Sequence, residues 1–178
     1  DLLKQSISQA TRDKATPIVY SKVGRLTGYL WNDIELREWV DHMPSVVLED
    51  KLLVFVNKLA YQQAVKKLKQ PLKFKKRILS GFNEVYRTLT TINPEKRCRC
   101  LVVALNIKRN PFRQGSDSEV IELIEHAVKL DVPVLHCSNR SKLGRAFIGK
   151  FGPRVSVISI VNYQGHEEQF EEIRTEWR

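Results

Sequence analysis

Four residues in one short stretch, Gly81, Asn83, Glu84 and Arg87, combine the groups needed to read a nucleic-acid base. Asn83 offers both a donor and an acceptor, and Glu84 offers acceptors that can take hydrogen bonds from guanine amino and imino groups. Arg87 follows one helical turn after Glu84, close enough to share a ligand surface and reach a phosphate or a guanine edge. Gly81 permits a tight turn and a close approach of backbone to a ligand. At a helix N-terminus these groups would sit in a field that favours phosphate. The competing role for Asn83 and Glu84 is helix capping, which uses the same residue types. RNA is read where its bases are unstacked or mispaired, so an irregular duplex is the expected target.

The charge of the chain agrees with a polyanionic partner. Lys and Arg outnumber Asp and Glu by 30 to 20, for a net charge of +10 and a pI near 9.7. That balance speaks about partners rather than fold. RNA or DNA comes before membrane, because no apolar run approaches the roughly 20 residues that cross a bilayer. The cations are clustered. Lys75 and Lys76 crowd the approach to Gly81, Lys108 and Arg109 lie in a later loop, and Lys142, Arg145, Lys150 and Arg154 surround a third inter-element region. Loops at one end of a layered α/β fold come together, and a positive rim there would bind phosphates and release counterions. Taken singly, each cluster also reads as a solvated face.

Enzymatic signals are absent. No glycine-rich phosphate cradle and no nucleophile elbow occurs, and His42, His126, His136 and His166 are scattered. No catalytic residue and no cofactor is assigned. Cys98, Cys100 and Cys137 are too few, and odd in number, for a disulfide framework. On a strand Cys98 and Cys100 would point the same way, so a metal clip with His136 or Cys137 is one reading, and small residues packed in strands is the favoured one. The spacing matches no strong zinc pattern, and no metal is assigned.

The elements that must position these residues are legible from periodicity. Val46–Lys69 repeats its apolar residues at three-and-four spacing and reads as a helix closed by Pro71. Short β-prone runs follow at Arg77–Ser80, Arg99–Leu105, Val132–Cys137 and Val155–Val161. Between them lie helices from Asn83 to Thr90, from Ser116 or Asp117 onward, and from Arg140 to Lys150, with a last helix starting at Gly165. Asn83 is placed near the cap of its helix. This alternation predicts an α/β layer sandwich with at least partly parallel strands. Residues 1–45 differ. They read as an N-terminal extension with a short amphipathic helix, Trp31–Val40, preceded by a polar stretch that is either an arm ordering on a partner or a loosely structured extension. The RNA-binding domain is expected over residues 46–178.

Gly81-Phe82-Asn83-Glu84-Val85, the strand Leu101–Leu105, Val132-Pro133-Val134 and Ser141-Lys142-Leu143-Gly144-Arg145-Ala146 occur in an order that resembles the kink-turn-binding ribosomal protein superfamily. The resemblance covers about residues 48 to 175 and is nearest to the SECIS-binding branch. It implies a three-layer α-β-α sandwich with a mixed four-stranded sheet. It also implies that Asn83, Glu84 and Arg87 contact tandem sheared G·A pairs. The Ile148–Val155 loop would cover a flipped-out nucleotide, with Phe151 stacked on the base and Lys150 and Arg154 on phosphates. The SECIS-binding branch usually carries Arg where this chain has Asn83, and the Asn-Glu pair is like the ribosomal and nucleolar branches. Two partners therefore stand open, a SECIS element near the ribosome and ribosomal RNA. The implied setting is cytoplasmic and ribosome-associated, with a nucleolar or organellar particle as the alternative.

Overall fold

The computed structural model describes residues 44–107, 116–150 and 152–177, with the backbone alone at 116 and 117. The N-terminal extension, except for Pro44 and Ser45, lies outside the described residues. So do Lys108, Arg109 and Phe151.

The first helix, α1, spans Val46–Lys69, and the Ser45 side chain accepts from the Leu48 amide at 3.0 Å to start it. Glu49 in its first turn and Lys66, Lys67 and Lys69 in its last complement the helix dipole. A 3₁₀ turn, Pro71–Lys73, leads to strand β1, Ile78–Ser80. Helix α2, Phe82–Thr90, follows without a loop. Then come β2 (Cys100–Ala104), α3 (Ser116–Lys129), β3 (Val134–Cys137), α4 (Arg140–Ile148), β4 (Val157–Ile160) and α5 (Glu167–Trp177). The strand order is β1-β4-β2-β3, with β2 and β3 parallel and β4 antiparallel to both its neighbours. The sheet is mixed and four-stranded, as expected.

Strand alternation divides the core into two. Cys100, Val102, Ala104, Leu135, Cys137, Ile158 and Ile160 face one layer of helices, α1, α4 and α5. Leu101, Val103 and Val157 face the other, built by Val85 and Leu89 of α2 and Val120, Leu123 and Ala127 of α3. A sheet covered on both faces must be apolar on both, and all five residues of β2 are buried. The buried polar pair Thr88 and Ser159 in the second layer is satisfied. The Thr88 hydroxyl donates to the Val85 carbonyl at 2.7 Å and shares a 2.7 Å hydrogen bond with Ser159, which ties α2 to β4.

The cysteines correct one expectation. Cys98 belongs to the α2–α3 core and Cys100 to the opposite one, so the two thiols do not share a face. The ladder starts only at the Arg99 amide, which donates to the Ile160 carbonyl, while the Cys98 amide donates to the Thr88 carbonyl instead. Strand parity therefore does not extend back to Cys98. Burial pushes all three thiols up, with the charge of Glu49 adding to the effect at Cys137. Among the described residues no group of His, Cys, Asp and Glu could hold a metal ion, and no helix is long and apolar enough to cross a membrane.

Candidate nucleic-acid interface

The register of the sheet decides which loops meet. Ser80 pairs with Ile158, Val103 with Val157, and Ala104 with Cys137. The C-terminal ends of β1, β2 and β3 and the start of β4 therefore share one end of the sheet. The N-termini of α2 and α4 open at that same end, directly after β1 and β3, and the first amides of α2 have no side-chain cap there.

Gly81 is the N-cap of α2, with φ 93° and ψ 142°, and gives no side-chain cap. A Cβ at Gly81 would meet nothing within 4 Å, so its requirement is conformational and not steric. Few L residues adopt this region. Gly81→Ala is expected to cost about 1–3 kcal/mol in chemical denaturation, although the added methyl touches nothing.

Placing the cap at Gly81 corrects the helix start. Asn83 sits inside the first turn, exposed, and its side chain makes no hydrogen bond among the described residues. Capping does not employ it. Glu84 is likewise not part of a capping box. Its carboxylate lies 3.5 Å from the Lys76 ammonium and 3.2 Å from the Arg87 guanidinium. Both pairs are well exposed, so each contributes little to stability and leaves Glu84 open to exchange partners. Asn83, Glu84 and Arg87 form one surface at the helix start.

The structure does not gather all the other sequence-selected cations at this end, since Lys75 lies toward the far end of α2 and Lys150 beyond the far end of α4. Lys75 and Lys76 precede β1, but that strand has only three residues, so both flank α2. Lys75 pairs with Glu95 at 2.7 Å. Arg145, Lys150 and Arg154 are exposed on α4 and the segment after it. Lys142 faces inward, and its ammonium lies 3.0 Å from Glu49, whose side chain is only 4% exposed. Glu49 also accepts from the Ser138 amide at 2.7 Å and from the Cys137 thiol at 3.3 Å. Burial alone would raise the Glu49 carboxyl. The Ser138 hydrogen bonds and the Lys142 charge outweigh it, and the group lies below the ordinary carboxylate range.

Two residues missed at the level of sequence secure the loops. Asn106 accepts from the Arg140 amide at 2.8 Å, joining the end of β2 to the start of α4. Gln63 of α1 donates to the Ile78 carbonyl and accepts from the Arg77 and Ile78 amides, sealing the outer edge of β1. Local pattern could not reveal either, because each partner is distant in the chain. The cap of α4 is local and conventional, since Asn139 accepts from the Lys142 amide at 2.9 Å. Gly144 lies under Pro153, where a Cβ would fall 2.1 Å from the Pro153 carbonyl oxygen. This close approach holds the segment after α4 against the helix.

No family model matches the chain. It is 29% identical over 98 residues to selenocysteine insertion sequence-binding protein 2 of Rattus norvegicus, covering 55% of this chain and 11% of that protein. It is 26% identical over 136 residues to selenocysteine insertion sequence-binding protein 2-like of Homo sapiens, covering 75% of this chain and 11% of that one. The matched region is thus a small part of those relatives. In structure it is similar to the Giardia lamblia 15.5kD RNA binding protein, with a TM-score of 0.56 and 17% identity over 79% of this chain and 96% of the other. By sequence, then, the chain is similar to selenocysteine insertion sequence-binding protein 2 and its paralogue, and by fold to a small RNA-binding protein.

Proposed function

We propose that this chain is a non-catalytic RNA-binding module that grips a kink-turn through tandem G·A pairs, in a SECIS element. The observation that carries the reading is the start of α2. Asn83 is exposed with no capping task, beside a carboxylate and a guanidinium that face the same way. Guanine edges in sheared pairs present the donors that a carboxylate and an amide oxygen accept. The helix N-terminus and the surrounding cations suit the phosphates that follow. The names of the curated relatives supply the SECIS element as the class of RNA.

The test compares a kink-turn RNA with a copy whose G·A pairs are replaced by Watson–Crick pairs. The first should bind far more tightly, and equal affinity would sink the reading. Glu84→Ala should weaken binding by about 1–3 kcal/mol, with an unchanged dissociation constant counting against its role. The Asn83-Glu84 pair favours a second reading, an assembly or structural protein on ribosomal or nucleolar RNA. Sequencing of RNA crosslinked to the protein separates them, selenoprotein messages supporting the first and one ribosomal site the second. Absence of any salt-sensitive RNA binding would instead favour a protein-interaction scaffold.

A further inference from the structure

A cleft of about 510 Å³ runs along the flank of α2, from its first turn toward its C-terminal end. Its floor is apolar, made by Phe74, Leu79 and Val161. Its rim carries the cations Lys75, Lys76, Arg87 and Lys96 against the carboxylates Glu84 and Glu95. Both carboxylates are already in ion pairs, Glu84 with Lys76 and Arg87, and Glu95 with Lys75. Lys96 forms no ion pair among the described residues. The rim therefore keeps a positive excess around a hydrophobic bed.

That combination has a definite chemical complement. A flat aromatic group would cover Phe74 and Leu79, and an attached anion would reach Lys75 and Lys96. A nucleotide has both parts in one molecule, and base-on-aromatic stacking tolerates any base. Glu84 and Arg87 belong both to this cleft and to the reader at the helix start. RNA held by the reader thus passes the mouth of the cleft.

We propose that this cleft holds one unpaired nucleotide of the bound RNA, its base over Phe74 and Leu79 and its phosphate on Lys96, with Lys75 exchanging Glu95 for it. The proposal rests on the kink-turn reading and adds a contact outside the paired duplex. A phosphate alone would leave the apolar floor bare, and an acidic peptide would lack the flat group that Phe74 and Leu79 accommodate.

The experiment places 5-iodouridine singly at each unpaired position of a kink-turn RNA bound to the full chain, with irradiation and peptide mapping. One position should crosslink within residues 74–79. Phe74→Ala should abolish that crosslink and weaken binding on the order of tenfold. Lys96→Glu, at an exposed position, should do likewise and keeps the test decisive where Phe74→Ala does not fold. Bound RNA with no crosslink in this segment, or wild-type affinity in both variants, overturns the proposal. Failure of the RNA to bind at all overturns the kink-turn reading separately. Uridine monophosphate is then titrated against the Leu79 and Val161 methyl resonances. Saturable shifts lost in Lys96→Glu support a nucleotide pocket. No shift, or a tetraglutamate peptide moving the same methyls at lower concentration, overturns it.

Discussion

Glu49→Ala is expected to destabilise the protein by about 3 kcal/mol, the lower end of what breaking a buried ion pair costs. The lower end applies because the partner, Lys142, is 34% exposed and can swing its ammonium into water. The Ser138 amide and the Cys137 thiol cannot follow, so they lose an acceptor inside the protein. Equilibrium urea unfolding of the variant against wild type measures the loss. Wild-type stability would show that the network adds nothing. Glu49→Gln separates charge from shape, since an amide oxygen still accepts from Ser138 but no longer balances Lys142.

The same carboxylate gives a pH dependence of known sign. Its folded value lies below 4.5, its ordinary value. The unfolded chain therefore binds a proton there more readily, and the contribution of Glu49 is complete above that ordinary value. It disappears as the pH falls through the lower, folded value. Between those limits, Glu49→Gln should lose less stability on acidification than wild type does. Parallel curves for the two proteins would remove Glu49 from the account.

Gly144→Ala should be comparably damaging, for a different reason. In an ordinary helix interior this change stabilises by about 1 kcal/mol. Here the methyl carbon would stand 2.1 Å from the Pro153 carbonyl oxygen and 3.2 Å from its carbonyl carbon. Both obstacles are backbone, so relief requires α4 or the following segment to move. The Val155 amide donates to the Arg140 carbonyl, which anchors that segment at its far end. A net cost of about 3 kcal/mol is expected, at the top of the range for overpacking. Under the proposed function RNA affinity should fall as well, because Lys150 and Arg154 ride on the displaced segment. A thermal midpoint equal to that of wild type would contradict the geometry.

How much of this was legible depended on how local each cause was. Helix α1 matches its expected limits, Val46–Lys69, because both ends carry local signals: an amphipathic onset and Pro71 beyond the last turn. The four strands appear where β-prone runs stand, each shortened to the residues that pair. The start of α2 was misplaced by one residue and its cap by two, because asparagine is a frequent cap and only the backbone angles reveal that Gly81 fills the position. The glutamate network was invisible, since Glu49 meets Ser138 and Lys142 only after folding. Lys142 therefore read as one more phosphate contact, whereas its ammonium closes a contact inside the protein. The candidate reader was visible because its groups lie within one helical turn. The cleft beside it was not, because its floor joins Phe74 and Leu79 to the distant Val161.

The position of β4 in the sheet bears on how the protein is made. It is the last strand in sequence, yet it lies between β1 and β2. Ile78 must wait for Ile160, and Cys100 for the same residue, before either acquires its ladder partner. During synthesis β2 can zip with β3, but one of its edges stays bare until Val157–Ile160 has emerged. Such distant pairings make closure slow and leave an all-apolar strand exposed to other chains meanwhile. A nascent chain halted before Val157 would have the tip of α2 already written and no completed sheet to present it.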